Sequence, residues 1–462
     1  MELIINNWLL ILSCVGFALG LGVLKRLNNL YYAIKLGKKW DEVPPGDLSW
    51  PLLGSTLSFI KYFTLGPPHN FIAQFSNRYG KVDMYKTHIF GRASIIVCKP
   101  EICRQVLTDE TKFAPGYPTT MTSLFGRRSL HRVSKVEHRK LRRLTTTPIS
   151  SHAALELYID HIEHTVINGL EEWSSMEKPL ELLTVIKELT FKIIWNIFMG
   201  STPMGSIAIR EMEALYNDIS LGFFCLPINF PGFYFHKSLK ARKRLHEILQ
   251  CIVNEKRLVK KSKGETWEAK DMMDLMIEVR DEDGEGMDDE TIVDLIFGKL
   301  FAGQETSAFT TMWAILFLTN NPHVFQKAKV IDETLRVSSI TFATFREAMT
   351  DVKINGKIIP KGWKVILWLR ELNMDEKLHT SPQEFNPSRW DNFIGNPGAF
   401  TPFGLGVRMC PGRDLAKLEI SIFLHYFLLN YKVEQLNPQC QLDYLPIPHP
   451  KDKCLARVLK VA

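Results

Sequence analysis

The sequence predicts a mainly α-helical domain with small β-sheets, an α+β arrangement, preceded by an N-terminal helix that spans a membrane. Three observations lead to this fold class. Helical periodicity dominates residues 150 to 320, two short stretches alternate apolar and polar residues as β-hairpins do, and the first 24 residues are strongly apolar. Hydrophobic residues make up 45% of the 462-residue chain, enough for the core of a large ordered domain.

The N-terminal anchor is predicted from residues 3 to 24, which include no charged residue. A helix of this length spans roughly 30 Å, the thickness of the hydrocarbon core. A cleaved signal peptide is the alternative, but it would have a basic start and a shorter apolar stretch, whereas only Glu2 precedes this one. The basic residues that follow place the rest of the chain on the cytosolic side. We therefore assign residues 1–40 to the anchor and its basic flank.

A proline- and glycine-rich stretch at residues 41–55 cannot continue a helix, so it is predicted to be a stiff hinge. Residues 56–462 are expected to form one large domain, because no repeat, low-complexity tract or internal boundary stands out. One hairpin is predicted around residues 90 to 92, where two alternating stretches meet. Another is predicted at the Asn-Gly pair of residues 355 and 356, the strongest short signal for a tight hairpin turn.

One helix is predicted to run through the centre of the domain. It begins after the acidic residues 288–290, whose side chains can cap the helix and complement its dipole. The run that follows is apolar on nearly every face, as expected of a buried helix. Glu305 and Thr306 interrupt it, and a carboxylate beside a hydroxyl is costly there unless it is partnered or used. A structural role stays open at this point, with Thr306 bonded to its own helix and Glu305 to an arginine outside it.

The eight cysteines are dispersed, with no CxxC pair and no Cys/His cluster at zinc spacing. This distribution is typical of free thiols in a reducing compartment. Cys410 stands out because it lies in the stretch FGLGVRMCPG, residues 403–412. A packed thiol, half of a disulfide and a metal ligand are the three interpretations, and the dispersed cysteines disfavour the disulfide.

The residues around Cys410 suit a loop that presents a thiolate to a metal. Gly404 and Gly406 permit a tight bend and a close approach to a flat group. Arg408 places a cation two residues from the sulfur, and the Pro-Gly pair at 411–412 turns backbone N–H groups towards it. A single cysteine without histidine partners disfavours zinc. It favours a cofactor that fills its own remaining ligand positions, which is haem.

The stretch FGLGVRMCPG resembles the haem-binding signature F-x-x-G-x-R-x-C-x-G of the cytochromes P-450. Its five fixed positions are occupied by Phe403, Gly406, Arg408, Cys410 and Gly412. AGQETS at 302–307 resembles the family's oxygen-binding helix motif. ETLR at 333–336 resembles its E-x-x-R motif, and FNPSRW at 385–390 resembles the segment whose arginine completes a Glu-Arg-Arg cluster. The resemblance covers nearly the whole chain.

The resemblance implies the cytochrome P-450 fold and haem b, iron protoporphyrin IX, as the cofactor. It implies Cys410 as the metal ligand, whose electron donation favours O–O cleavage. Thr306 and Glu305 are implied as the catalytic pair that orders water and delivers protons. The other implied cofactor-binding residues are Phe403, Arg408, Arg142, Arg346 and His138, of which the arginines and His138 would bond the haem propionates. His138 stands where many members carry a tryptophan.

The implied activity is that of a monooxygenase that uses O2 and electrons from an NADPH-dependent reductase. The sequence contains no nucleotide-binding glycine motif, which fits an external reductant. The basic stretch at 127–143 has no aromatic residue to stack on a base, so no nucleic acid is expected, and in this family that face meets the reductase. A haem-thiolate isomerase or dehydratase is an alternative that Glu305 and Thr306 disfavour. The anchor implies a single-pass protein of the endoplasmic reticulum membrane with a cytosolic catalytic domain.

Three stretches resemble a narrower plant group, which contains ent-kaurenoic acid oxidase and the β-amyrin oxidases. They are residues 228–245, 345–365 and, above all, 415–434. Both kinds of enzyme oxidise bulky terpenoid skeletons, and the apolar, aromatic stretch at 226–235 suits a lip that dips into the membrane where such substrates dissolve. A β-amyrin-type triterpenoid and an ent-kaurenoic acid-type diterpenoid both remain open, with the motifs slightly favouring the triterpenoid.

The family pattern breaks between Thr306 and Glu333. Members generally carry roughly thirty more residues in this interval, about two helices. The sequence therefore predicts that a helical segment before Glu333 is missing, with the junction at 328–330. An inactive splice or gene-model variant is the alternative to a working enzyme.

Overall fold

In a computed structural model of the chain, the structure describes residues 2–200, 206–280, 284–321, 329–391 and 398–461. Within these ranges, side chains are described except at 2–14, 18, 19, 206–210 and 265. The helices over these residues are α1 (Glu2–Leu36), α2 (Thr56–Leu65), α3 (His69–Tyr79), α4 (Pro100–Thr108), α5 (Thr119–Phe125), α6 (Lys135–Ser150), α7 (His152–Ser174), α8 (Leu182–Met199), α9 (Ser206–Ser220), α10 (Tyr234–Lys263), α11 (Met272–Glu278), α12 (Asp289–Asn320), α13 (Val330–Ser338), α14 (Leu369–Asn373) and α15 (Arg413–Asn430).

The strands are short. They are β1 (Gly46–Asp47), β2 (Met84–Ile89), β3 (Arg92–Val97), β4 (Phe113–Pro115), β5 (Leu180–Glu181), β6 (Thr344–Ala348), β7 (Val352–Ile354), β8 (Lys357–Ile359), β9 (Lys364–Leu367), β10 (Tyr431–Gln435), β11 (Leu442–Asp443), β12 (His449–Pro450) and β13 (Leu455–Lys460). The mainly helical class with small sheets is confirmed. The chain divides into two compact units, the first made of Met1–Gly116 with Ala343–Glu371 and the second of Tyr117–Phe342 with Leu372–Ala462.

The first unit is built on a six-stranded sheet in the order β1-β2-β3-β9-β6-β4. Its β2–β3 pair is the first predicted hairpin, with Phe90 and Gly91 at φ of 51° and 74° in the turn. The second predicted hairpin is β7–β8, where Asn355 and Gly356 have φ of 48° and 74°. Two successive positive φ angles are what a type I′ turn requires, so both hairpin predictions are confirmed.

The end of α1 is tied to the proline-rich stretch that follows it. The side-chain amide of Asn28 donates to the Trp50 carbonyl at 2.6 Å, and that of Asn29 donates to the Asp47 carboxylate at 2.6 Å. Most side chains of the predicted membrane anchor lie outside the described residues. Over the part of the chain that is described, no helix is both long and apolar enough to cross a membrane.

The second unit is organised around α12, which confirms the predicted central helix. The Asp288 carboxylate caps it by accepting the Thr291 N–H at 2.8 Å. Most of its side chains are buried, among them the packed aromatic rings of Phe297 and Phe301, which both contact Tyr216. Burial on nearly every face explains why the apolar residues of α12 show no single stripe.

A buried ion cluster joins α13 to the turn at residues 387–390. The Arg336 guanidinium donates two bonds to the Glu333 carboxylate at 2.8 and 3.0 Å, and Arg389 donates a third at 2.9 Å. The Trp390 indole N–H donates to the same carboxylate at 2.9 Å. Burial alone would raise the pKa of Glu333, but its partners, Arg336 first, hold that pKa below the usual value. The predicted Glu-Arg-Arg network is therefore confirmed as a buried, fully bonded unit.

The predicted junction before Glu333 falls mainly on residues 322–328, which are outside the described ranges. On either side of it, α12 ends at Asn320 and α13 begins at Val330.

Candidate functional site

Cys410 lies in a loop whose glycines are required by its shape. Gly404 and Gly406 have φ of 72° and 70°, in the left-handed region that favours glycine. The Cys410 backbone N–H donates to the Phe403 carbonyl at 2.8 Å and closes the loop just before α15. The sulfur is thereby held on a short, constrained segment of backbone.

The Cys410 thiol is accessible and yet surrounded by protein. By surface area the residue is exposed, but burial by neighbouring atoms is the main influence on its thiol and raises the pKa. The Gly412 backbone N–H and the positive charges of Arg142 and Lys299 act in the opposite direction. The donors and cations around the sulfur are those that would stabilise a thiolate.

One face of α12 is accessible in the middle of an otherwise buried stretch. Ala302 and Thr306, one turn apart, are exposed, whereas Gln304, Glu305 and Ser307 are buried. The Thr306 hydroxyl donates to the Ala302 carbonyl at 2.7 Å. Its proton is therefore engaged by the helix, and its oxygen can accept a hydrogen bond on the accessible face.

Glu305 does not share the accessible face with Thr306 but forms an ion pair with a residue of α8. Its carboxylate is 3.0 Å from the Lys187 ammonium on α8; Glu305 is buried, and the Lys187 side chain is partly buried. Lys187 also donates to the Asn217 amide oxygen at 3.2 Å. The two members of the predicted catalytic pair thus diverge, with Thr306 on the accessible face and Glu305 in an ion pair. This arrangement matches the structural alternative for Thr306, while the partner of Glu305 is a lysine rather than an arginine.

The charges of this ion pair also influence the pKa of a further carboxyl group, Glu213. Burial raises the pKa of Glu213 on α9 to about 7, and the negative charges of Glu188 and Glu305 add to that effect. Lys187 acts on Glu213 in the opposite direction. A carboxyl group that titrates near neutrality can release and regain a proton under working conditions.

Four of the predicted cofactor-binding residues belong to the second unit with Cys410. On α6, His138 is buried and Arg142 is partly buried, and their spacing of four residues places them on one face of that helix. Arg408 donates to the Leu130 carbonyl at 3.2 Å. Phe403 lies beneath the Lys417 ammonium, 5.8 Å from the ring centre. As a set of cofactor contacts, these residues stay a prediction.

Arg346 lies on β6 in the first unit. It is buried, and its guanidinium donates to the Phe345 carbonyl at 3.1 Å. Its role as a propionate partner also stays a prediction.

Two buried ionisable residues were missed by the sequence analysis. Lys299 on α12 has an ammonium without a hydrogen-bond partner among the described residues. Burial lowers its pKa to about 7, and the charge of Arg142 contributes. The signal was available, because Lys299 is the one charge in the apolar run between Asp294 and Glu305.

The second missed residue is Glu419 on α15. Burial raises its pKa to about 8, although the hydroxyl of Ser307 on α12 is close enough to lower it. Within the described ranges neither carboxylate oxygen has a partner of good hydrogen-bond geometry. Glu419 is therefore protonated at neutral pH and holds that proton beside Ser307.

These residues fit a haem. The accessible thiol, the cations near it and the accessible small residues of α12 are the contacts that a flat, anionic, iron-bearing cofactor needs. Over the residues with described side chains, no group of three or more His, Cys, Asp or Glu could hold a metal ion.

Comparisons with known proteins identify this arrangement. The cytochrome P450 family model matches residues 44–329 and 328–451. The chain is 47% identical to beta-amyrin 11-oxidase of Glycyrrhiza uralensis, with 97% of each chain covered, and 43% identical to ent-kaurenoic acid oxidase 2 of Arabidopsis thaliana, with 95% of each covered. The solved structure of the retinoic acid-bound cyanobacterial CYP120A1 superposes with a TM-score of 0.81 at 24% identity, covering 91% of this chain and 99% of that one.

The same comparisons bear on the predicted junction. The family model matches in two parts that meet at residues 328 and 329. The alignment with beta-amyrin 11-oxidase runs over 479 positions, more than the 462 residues of this chain. The relative therefore carries residues that have no counterpart here.

Proposed function

Because the chain belongs to the cytochrome P450 family of haem-dependent monooxygenases, we propose that it oxidises a terpenoid skeleton. The observation that carries this proposal is the 47% identity to beta-amyrin 11-oxidase over nearly the full length of both chains. The similarity to ent-kaurenoic acid oxidases is somewhat lower. A β-amyrin-type triterpenoid is therefore the favoured substrate, and an ent-kaurenoic acid-type diterpenoid is the second.

Cys410 would hold the iron of haem b through its sulfur, and bound haem supplies the activation of dioxygen. Metal binding requires the thiolate, so it must overcome the burial that raises the pKa of the thiol. The Gly412 N–H and the Arg142 and Lys299 charges lower that cost, because each favours the negative sulfur. Arg408 and His138 are proposed to bond the propionates together with Arg142.

The residues of α12 and their neighbours are proposed to manage protons. On the accessible face of the helix, the Thr306 oxygen accepts a hydrogen bond from a water molecule. The Glu305–Lys187 pair and the partly buried Glu213 act on one another through their charges, and Glu213 can hold a proton near neutral pH. Glu419 carries a second proton at its carboxyl oxygen beside Ser307.

Electrons are proposed to come from an NADPH-dependent reductase that binds the basic face of α6. Arg139, Lys140 and Arg143 are exposed on that helix, and an acidic partner would be attracted to them. We also propose that the N-terminal helix anchors the protein in the endoplasmic reticulum membrane, with the catalytic domain in the cytosol. Support for the anchor is the uncharged stretch of residues 3–24.

The test is to express the full chain in microsomes with a plant reductase and to record the spectrum of the reduced, carbon monoxide-bound form. A thiolate-type Soret band is expected, together with an oxidised product from β-amyrin or from ent-kaurenoic acid that requires NADPH. Cys410→Ser serves as the control that abolishes the band. A normal band with no turnover of either terpenoid class would overturn the substrate proposal, and a product formed without reductant would favour an isomerase.

A second candidate, an inactive variant, is supported by the two-part family match at residues 328 and 329. In that case the full chain would show no thiolate-type band. The monooxygenase remains the favoured function, because the residues that the family resemblance implies for the chemistry all occur in the sequence.

A further inference from the structure

We propose that Lys299 and Arg142 form a two-cation site for a carboxylate, and that the carboxylate is a propionate group of the haem. The inference rests on the haem-binding part of the proposed function and is independent of the substrate. It assigns a role to a lysine of α12 that the sequence motifs do not include.

The first observation is the isolation of the Lys299 ammonium. The residue is only 9% exposed, and among the described residues its amine has no hydrogen-bond partner. A buried ammonium without a partner is strongly unfavourable, so the amine either loses its proton or binds an anion. Lys187, by contrast, is a lysine with little exposure that pairs with Glu305 at 3.0 Å.

The second observation is where Lys299 stands on its helix. It precedes Ala302 by three residues and Thr306 by seven, so all three lie on one face of α12. Ala302 and Thr306 are the accessible residues of that face. The lysine is therefore aligned with the side of α12 that is proposed to meet the cofactor.

The third observation concerns the charges that influence the pKa values of the two cations. The pKa of Lys299 is lowered by burial, lowered further by the positive charge of Arg142 and raised by the negative charge of a Cys410 thiolate. The pKa of Arg142 is likewise lowered by burial and raised by the Cys410 thiolate. No carboxylate of the described residues is among the causes in either case, so the pKa of neither cation reflects a carboxylate partner.

A carboxylate satisfies this pair, because it is a compact anion whose two oxygens can each accept from one cation. Two sources exist, a propionate of haem and the acid group of an acidic terpenoid. Both cations are near enough to Cys410 to act on its thiol. Cys410 would hold the haem iron through its sulfur, so the groups within range of that sulfur would lie against the cofactor. We therefore assign the anion to a haem propionate rather than to the substrate.

The proposal is tested by the rate at which haem leaves the full-length holoprotein for an excess of apomyoglobin. Lys299→Met keeps the length of the side chain and removes its charge, so haem loss should accelerate about 10- to 100-fold, the worth of one charge-assisted hydrogen bond. Lys299→Arg should restore slow loss. Lys432→Met, a change at an exposed lysine on β10, should leave the rate unchanged. An unchanged rate for Lys299→Met would overturn the proposal.

Reconstitution with haem dimethyl ester separates charge pairing from packing. The ester has no propionate charge, so wild type and Lys299→Met should lose it at the same rate. If the variant still loses the ester faster, Lys299 acts through packing and the proposal is wrong.

A titration with ent-kaurenoic acid and its methyl ester, followed by the Soret shift, tests the other source. If Lys299→Met weakens binding of the acid alone while haem loss stays slow, the carboxylate belongs to the substrate, which also overturns the proposal. If neither terpenoid is oxidised, the proposed substrate class is wrong, but the haem-loss result still stands.

Discussion

The Lys187 ammonium lies 3.0 Å from the Glu305 carboxylate, and the two side chains are only 12% and 4% exposed. The pair links α8 to α12 on the side of the central helix away from Thr306. Removing one partner leaves the other charge buried and alone, which is more costly than removing both.

Lys187→Met is therefore expected to destabilise the protein by roughly 3–5 kcal/mol. The double variant Lys187→Met/Glu305→Gln should recover most of that loss. Thermal loss of the thiolate-type Soret band measures both. Glu305→Gln completes the set, and a loss for the double variant equal to the sum of the two single losses would show that the ion pair is not coupled.

Thr306 is expected to control how efficiently electrons are used. Thr306→Ala removes the hydroxyl from the accessible face, so product formed per NADPH consumed should fall about tenfold or more, with hydrogen peroxide rising in its place. Thr306→Ser should retain most of the coupling.

Thr310 offers a matched control for this prediction. Its hydroxyl donates to the Thr306 carbonyl at 2.7 Å, as Thr306 does one turn earlier, but Thr310 is buried. Thr310→Ala should leave the ratio of product to NADPH near that of wild type. A similar drop for both alanine variants would assign the effect to the helix rather than to the accessible hydroxyl.

Glu419 predicts a pH dependence of stability. Its pKa rises from 4.5 to about 8 on burial, so the folded protein binds a proton that the unfolded chain releases above pH 4.5. The stability linked to this proton is fully present below that value and is lost as the pH rises towards 8. Glu419→Gln should therefore gain stability relative to wild type as the pH increases over this interval, measured as the difference in Tm at pH 5 and pH 8. A difference that does not change with pH would contradict the assignment.

The sequence predicts a missing helical segment before Glu333, and restoring it should improve haem binding. Inserting residues of beta-amyrin 11-oxidase that have no counterpart in this chain at the predicted junction, residues 328 and 329, should raise the yield of thiolate-ligated haem per unit of protein. The same number of residues from a Gly/Ser linker is the control, since it restores length without apolar helical faces. If both insertions behave like the unaltered chain, the short junction is not a defect.

The sequence was most informative where a local pattern sets the structure. The Asn355-Gly356 turn, the Asp288 cap and the glycines at 404 and 406 each require a particular backbone conformation, and each was found as predicted. Glu333 was predicted to join the two arginines of its motifs, and it does.

The partners of buried charges could not be predicted, because they depend on how distant elements pack. Lys187 of α8 meets Glu305, and Ser307 meets Glu419 of α15, across more than a hundred residues of chain in each case. The two-unit division was hidden for the same reason. A unit assembled from residues before 117 and after 342 shows no boundary at any single point of the sequence.

The sheet of the first unit has a consequence for how the chain is made. Its strand β3 pairs in parallel with β9, so that Ser94 is partnered by Lys364. At roughly 5–20 residues per second, the ribosome needs on the order of 15–50 s to deliver the second strand after the first. During that interval the buried edge of β3 has no partner in the nascent chain. A chaperone that covers extended apolar edges is therefore expected to bind the growing protein until β9 emerges.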